Sequence, residues 1–228
     1  MAPKRPSIPI QVQAFRRRPR RWPRWHWAVA AGLVGVPLIW FMFRSPGEPA
    51  PQPAAPVSAA SIEQLTGPLW RLGSPEARFS IIFYADLECP YCKSYSPQLR
   101  QWIDTHQDVS LQWHHLPLSI HEPAASQEAR LVECAGQAGG HEAFWAAVQW
   151  VYAHTRSDGQ GVPNLEAFPG MSKALKTCMS GEESARIVQA QAGEATASGI
   201  TATPSLRLVD RTSGRSLVLP GPVPGDSL

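Results

Sequence analysis

Two cysteines three positions apart follow an apolar segment closely, and this arrangement constrains the fold more than any other feature of the chain. The segment 78–84 is rich in β-branched and aromatic residues, which predicts a buried strand. Pro90 stands directly after Cys89, and proline suits the first turn of a helix. Apolar residues then recur at spacings of three and four up to about His106. The sequence therefore predicts strand, turn and helix, with both cysteines where the helix begins.

The run Cys89-Pro90-Tyr91-Cys92 places two thiols on the first turn of that helix. Unsatisfied backbone N–H groups and the helix dipole stabilise a thiolate there. We expect Cys89 to be the exposed nucleophile, which attacks a disulfide and forms a mixed disulfide with the partner. Cys92 is close enough to reach back and release that partner. The spacing thus predicts a catalytic redox pair.

Cys89 and Cys92 have two alternative roles, a zinc site and a structural disulfide. A zinc site needs a second ligand pair with metal spacing, but Cys134 and Cys178 stand apart from each other. A purely structural disulfide across so short a loop would stabilise little. Redox chemistry is therefore the favoured prediction, with no metal and no cofactor.

The rest of the body alternates strand and helix patterns. Residues 109–115 alternate apolar and polar side chains and predict a second strand, parallel to the first. Between Pro123 and Gly199 the patterns are helical, at about residues 123–138, 141–154, 171–179 and 182–198. Residues 205–209 and 216–219 predict a β-hairpin after Pro204. These elements form an α/β domain with an inserted helical subdomain.

The N-terminal part of the chain resembles a membrane anchor. Eight Lys and Arg residues precede Ala28, and an uncharged run extends from Trp27 to Phe43. Basic residues beside a short apolar segment hold that end on the cytoplasmic side, so the remainder should face outward. A cleaved signal peptide has a similar pattern. However, the small residues that could be cut begin at Val57, well past the apolar run, so we favour the anchor.

The sequence divides into four parts. Residues 1–24 form a basic cytoplasmic segment, and residues 25–44 a single transmembrane anchor or uncleaved signal. Residues 45–66 are a proline-rich stalk that ends in a short helix capped by Ser61 and Gln64. Residues 67–228 are the folded domain, with its helical insert at about 118–199. We expect an inner-membrane protein, single-pass with its N-terminus inside and its catalytic domain in the periplasm.

Charge is distributed unevenly along the chain. Residues 1–44 contain nine Lys and Arg and no acidic residue, which leaves twelve basic against eighteen acidic residues in the remainder. A domain that binds nucleic acid through phosphate contacts needs a basic face. The acidic body therefore argues against a nucleic-acid partner.

The run from Tyr84 to Cys92, Tyr-Ala-Asp-Leu-Glu-Cys-Pro-Tyr-Cys, resembles the active site of the DsbA-like branch of the thioredoxin superfamily. Residues 72–77 and 115–121 resemble the segments before the preceding strand and after the next one, so the similarity covers roughly residues 69–222. This resemblance implies a thioredoxin-like α/β fold. It also implies that Thr203 and Pro204 form the cis-proline site, which faces the redox pair and contacts an extended substrate.

The sequence departs from the family pattern in two places. Phe83 lies where several relatives carry a buried acid that assists proton transfer from the resolving thiol. Either Asp86 or Glu88 substitutes for it, or water does the work, and the alternative for both acids is ordinary surface charge. The sequence also stops at Leu228, where a closing helix would start with Asp226 as its N-cap; if this is the natural end, we expect one face of the sheet to lose cover, and if the chain is incomplete nothing follows about mechanism.

Cys134 and Cys178 lie in separate helical segments of the insert. In an oxidising compartment an even cysteine count favours a structural disulfide between them, and two unpaired buried thiols are the alternative. His114 and His115 should point to opposite faces of a strand, so a metal role for these histidines is disfavoured.

We expect a monomeric thiol:disulfide oxidoreductase that oxidises exported cysteine-containing clients. The resemblance implies reoxidation by a quinone-linked membrane partner. A disulfide reductase or isomerase is the alternative within enzymes, because the direction of transfer depends on a potential that sequence does not determine. A non-catalytic envelope assembly module is the alternative from another class, but a scaffold would need neither thiol.

Overall fold

The structure is a computed structural model that describes residues 69–228. The predicted anchor, stalk and short helix capped by Ser61 lie outside these residues. Within residues 69–228, no helix is both long enough and apolar enough to span a bilayer.

A five-stranded sheet forms the centre of this domain. Its strands are β1 (Arg71–Leu72), β2 (Phe79–Ala85), β3 (Val109–His115), β4 (Ser205–Asp210) and β5 (Ser216–Pro220). The order across the sheet is β1-β3-β2-β4-β5, in which only β2 and β3 run parallel. The hairpin β4–β5 and the parallel pair agree with the sequence-based expectations.

Within residues 69–228, four α-helices connect and cover the strands: α1 (Pro90–Asp104), α2 (Ala124–His154), α3 (Lys173–Ser180) and α4 (Glu182–Ala197). Helix α1 is the crossover between β2 and β3, as a parallel pair requires. Helices α2, α3 and α4 form the predicted insert. The two separate patterns expected around residue 140 occur as one run, interrupted at Gly140, where φ is 75°. A positive φ is easily adopted by glycine, which explains why the break falls there.

The core lies between β2, β3 and the helices. Phe83 is fully buried and makes edge-to-face contacts with Tyr95 of α1 and Trp113 of β3, with ring centroids 6.0 and 5.5 Å apart. Such contacts add to the burial energy of the rings. Removal of a buried aromatic ring costs about 3–5 kcal/mol, so Phe83 stabilises the junction beneath the redox motif. This packing occupies the position where relatives were expected to carry an acid.

The side chains of His114 and His115 lie on opposite faces of the sheet, as expected for neighbours on a strand. His114 Nε2 lies 2.9 Å from the carbonyl oxygen of Gln191 on α4. His115 Nδ1 accepts a hydrogen bond of 2.9 Å from Trp113 Nε1, and its Nε2 lies 3.5 Å from Glu133 on α2. Because Trp113 can only donate, His115 Nδ1 carries no proton and the ring is neutral. Burial accordingly lowers the pKa of His115. Both histidines are structural.

The last residues pack beside the C-terminal half of α1. Between Pro220 and Leu228 the structure contains one turn of 3₁₀ helix, Gly225–Ser227, and the Gly225 carbonyl accepts a 3.0 Å hydrogen bond from Trp102. A groove of about 590 Å³ lies beside this turn, lined by Phe79, Ile81 and Leu217 among others.

Candidate active site

The two cysteines of the redox motif occupy the start of α1. Cys89 is the N-cap residue with extended backbone angles, and Pro90 is the first helical residue. Proline fits there because its missing N–H would have no partner in the first turn. The Cys89 carbonyl accepts the first helical hydrogen bond, 3.0 Å from the Lys93 nitrogen. Cys92 therefore lies one turn below Cys89, and both are free thiols.

Cys89 is less exposed than the sequence suggested. Only 3% of its surface is accessible, and Cys92 has none, whereas Tyr91 between them is 66% exposed. The sequence predicted an exposed Cys89, and this prediction is wrong. Cys89 is buried because a loop from the far end of the domain packs against its sulfur.

That loop contains Thr203 and Pro204. The Thr203–Pro204 peptide bond is cis, and Cys89 Sγ donates a hydrogen bond of 3.4 Å to the Thr203 carbonyl oxygen. The expected substrate-facing loop is thus in direct contact with the first thiol. The structure brings together Cys89, Cys92, Thr203 and Pro204 in one place.

The electrostatic environment makes the two thiols unequal. A hydrogen bond from the Cys92 thiol lowers the pKa of Cys89 to about 6; burial opposes this shift, and the Thr203 hydroxyl and the N–H groups of Cys92 and Tyr91 assist it. Burial is the main cause that raises the pKa of Cys92 well above its ordinary value, and the Cys89 thiolate adds to it. One thiolate forms at Cys89 while Cys92 keeps its proton.

Two acids precede Cys89, and neither is an ordinary surface charge. Asp86 and Glu88 are both buried, so the surface-charge alternative is wrong. Asp86 Oδ1 accepts from the Glu88 nitrogen at 2.8 Å, and Oδ2 accepts from the Leu118 nitrogen at 2.9 Å and His121 Nδ1 at 2.7 Å. Burial raises the pKa of Asp86, although these hydrogen bonds oppose the shift. Asp86 therefore holds the segment after β3 against the redox turn.

Glu88 connects the redox turn to a segment of the insert that the sequence did not single out. Its carboxylate accepts hydrogen bonds from the Thr155 hydroxyl and from the Gly161 nitrogen, the latter at 2.8 Å. Its carbonyl accepts from the Asp158 nitrogen at 2.9 Å. Glu128, which lies on α2, accepts a hydrogen bond of 2.9 Å from the backbone nitrogen of Val162, the residue after Gly161. In the sequence, the only indication of this cluster was that Glu128 lies within an apolar helical pattern.

A disulfide joins Cys134 of α2 to Cys178 of α3, with Cα atoms 5.9 Å apart. It closes a sequence separation of 44 residues within the insert. The second cysteine pair is thus part of the helical subdomain, and its sulfurs are already bonded to each other. Within residues 69–228, no three His, Cys, Asp or Glu side chains are arranged to hold a metal ion.

The fold and the paired thiols define a class: a thioredoxin-like domain with a redox-type cysteine pair at a helix N-terminus. Residues 65–217, about two thirds of the chain, match the thioredoxin family model Thioredoxin_4. DsbA2 of Pseudomonas aeruginosa has 41% sequence identity and a TM-score of 0.66, with 69% of this chain and 88% of that chain covered. The chain belongs to the DsbA-like branch of the thioredoxin superfamily.

Further matches are more distant or more partial. A thioredoxin-like oxidoreductase from Silicibacter pomeroyi has 23% identity, a TM-score of 0.57, and coverage of 72% of this chain and 91% of that chain, which supports the fold alone. The Na⁺/H⁺ antiporter NhaA 3 of Salinispora tropica is 37% identical over 82 residues. That match covers 36% of this chain, and the chain spans only 12% of the antiporter's length.

Proposed function

We propose that this protein is a thiol:disulfide oxidoreductase that donates a disulfide between Cys89 and Cys92 to client proteins. The inequality of the two thiols is the observation that carries the proposal. A low pKa at Cys89 and a raised pKa at Cys92 suit a pair in which one sulfur exchanges with clients and the other closes the bond. The family membership supports the same chemistry.

The reaction begins with the Cys89–Cys92 disulfide and a client thiolate. The client sulfur attacks Cys89 Sγ, the enzyme disulfide breaks, and Cys92 leaves as a thiolate that takes up a proton. A second client thiolate then attacks the client sulfur of the mixed disulfide and displaces Cys89. The client gains a disulfide and the enzyme retains two electrons as a dithiol. A quinone-linked membrane partner would remove those electrons.

Stabilisation of the reduced form supports the oxidase direction. A thiol with pKa about 6 is largely ionised at neutral pH, whereas one at its ordinary value is almost fully protonated. This difference shifts the dithiol–disulfide equilibrium by roughly tenfold, or about 30 mV for a two-electron couple. The Thr203 carbonyl and the exposed Tyr91 lie where an extended client would contact the reacting sulfur.

The proposed location is the periplasmic side of the inner membrane, with residues 25–44 as a single N-in anchor and residues 45–66 as a stalk. The basic flank and the apolar run support this topology. The partners would be exported cysteine-containing clients and the membrane oxidant, with no nucleic acid, and the catalytic domain would act as a monomer.

The deciding experiment is the reduction potential of the Cys89–Cys92 pair, measured at equilibrium in glutathione buffers. An oxidase should lie well above the roughly −270 mV of thioredoxin. A value at or below that level would favour a reductase. A pair that equilibrates with glutathione but never transfers its disulfide to a reduced client would favour the assembly-module alternative.

A further inference from the structure

Glu88 and Glu128 form a buried carboxyl pair behind the redox turn. Glu88 has no accessible surface and Glu128 only 1%. They come from different elements, since Glu88 directly precedes Cys89 and Glu128 lies on α2. Both accept hydrogen bonds from adjacent backbone nitrogens, those of Gly161 and Val162, so their carboxyl groups face the same short segment.

The hydrogen bonds of the two carboxyl groups are not alike. Both oxygens of Glu88 accept, one from the Thr155 hydroxyl and one from the Gly161 N–H. Glu128 Oε1 accepts from Val162, but Oε2 is buried with no donor among residues 69–228. A buried carboxylate oxygen without a donor is costly, and protonation removes that cost if an acceptor lies nearby. The arrangement therefore assigns the charge to Glu88 and a proton to Glu128.

We propose that Glu128 is protonated in the folded protein and donates to Glu88, and that this pair is a positioning element that holds segment 155–162 against the turn carrying Cys89. The positioning role of the pair near Cys89 rests on the proposed function, whereas the shared proton is independent of that function. Burial and the adjacent Glu88 carboxylate raise the pKa of Glu128 to about 9, which supports the assignment.

The groups that surround the pair reinforce the need for this proton. Asp86 adds a second negative charge from the turn before α1, and its Oδ2 lies 2.7 Å from His121 Nδ1. On α2, the hydroxyl of Tyr152 donates to the Asp86 carbonyl at 3.3 Å. From α1, Lys93 donates to the Thr155 carbonyl at 2.8 Å and places a positive charge beside the segment. With Glu128 also ionised, three carboxylates would lie close together at buried positions.

The sign of the pH effect follows from linkage. The folded protein keeps the Glu128 proton at pH values where the unfolded chain, with an ordinary Glu near 4.3, has lost it. The stabilisation is complete at low pH and is lost progressively as pH rises towards about 9. Glu128→Gln carries a permanent donor in place of the proton, so it should escape this loss.

The test compares wild type, Glu128→Gln and Glu142→Gln, whose side chain is exposed on the same helix. Relative to Glu128→Gln, the unfolding equilibrium constant of the wild type should rise by up to about tenfold per pH unit between pH 5 and 8. Relative to Glu142→Gln it should stay constant. Infrared spectra at pH 7 should show a protonated carboxylic acid in wild type and Glu142→Gln that is missing in Glu128→Gln.

The positioning role of the pair is tested separately, by amide hydrogen exchange in segment 155–162. Glu88→Gln replaces an accepting oxygen by a donor, so amide hydrogen exchange at Asp158, Gly161 and Val162 should accelerate about tenfold or more. In Glu128→Gln the same amides should stay protected. Absence of the acid band at pH 7, or equal pH dependence in both helix variants, would overturn the shared proton. A normal band in a protein without disulfide-transfer activity would support the pair while contradicting the proposed function.

Discussion

The sulfur of Cys89 lies 3.4 Å from the carbonyl oxygen of Thr203, although 114 residues separate them along the chain. This contact places a backbone acceptor at the first thiol and leaves the second thiol beneath it without accessible surface. The fold, as well as the sequence motif, therefore determines which of the two thiols reacts with a partner.

The order of the two thiols can be tested by substitution. Cys89→Ser should abolish disulfide transfer, whereas Cys92→Ser should accumulate mixed disulfides with clients, because the buried thiol that can attack and release them is missing. Non-reducing gels with a disulfide-containing client, whose disulfide the Cys89 thiolate attacks, would show the trapped species. Ser94→Ala, on the exposed side of the same helix turn, is the control and should behave as wild type. Equal residual turnover in both cysteine variants would contradict the assigned roles.

The reactivity of Cys89 should depend on pH through its own ionisation. Alkylation of the reduced protein by iodoacetamide should fall as pH drops through about 6. Cys92→Ala removes the largest cause of that low value, so its midpoint should move towards the ordinary range. Thiolate absorbance at 240 nm measures both midpoints. A midpoint that does not change in Cys92→Ala would show that the Thr203 and backbone contacts dominate instead.

The same ionisation predicts how stability depends on redox state. The folded pKa of Cys89 lies below its ordinary value of 9.0, so the stabilisation of the reduced protein is complete above that value and is lost as pH falls through about 6. The free energy of unfolding of the reduced protein, relative to the oxidised one, should rise by up to about 1.4 kcal/mol per pH unit from pH 6 to 9. Urea titrations of both forms provide the measurement, and a flat difference would contradict the thiolate assignment.

Asp86 should be important for stability because its carboxylate accepts from three donors in a buried site. Asp86→Asn puts a donor opposite another donor, and a buried group left without a partner costs about 1–3 kcal/mol. Urea unfolding of the oxidised protein measures the loss. Asp104→Asn, at the exposed end of α1, is the matched control and should change stability by less than about 0.5 kcal/mol. Similar losses in both variants would contradict the structural role.

The disulfide between Cys134 and Cys178 can be separated from the redox pair. In a protein with Cys89 and Cys92 both replaced by Ser, denaturation should expose no titratable thiol. Further replacement of Cys134 and Cys178 by Ser should lower the free energy of unfolding by about 2–4 kcal/mol, because a long loop in the unfolded chain is no longer closed. Two free thiols in the first variant would show that the pair does not form in solution.

The proposed topology predicts that protease added outside spheroplasts digests the domain at residues 69–228 while residues 1–24 stay protected. A cytoplasmic protein expressed in the same cells is the control for intact membranes. Full protection of the domain would contradict the N-in, C-out arrangement.

Elements with a strong local pattern were predictable from the sequence. The strand before Cys89, helix α1 and the β4–β5 hairpin depend on neighbours a few positions apart, so hydrophobic spacing, Pro90 and the glycine turn identified them. The thiolate site at a helix N-terminus was predictable for the same reason. The exposure of Cys89 was not, because the loop that covers it follows the entire insert.

The sequence by itself determined the redox pair, its helix and the succession of strands and helices, since each depends on contacts between near neighbours. Only the tertiary structure decided that Asp86 and Glu88 are buried, and that Glu88 meets Glu128 at segment 155–162. A carboxylate on a turn looks the same in sequence whether it meets water or protein. Its burial and its proton depend on donors and acceptors that come from distant parts of the chain, and folding alone brings them together.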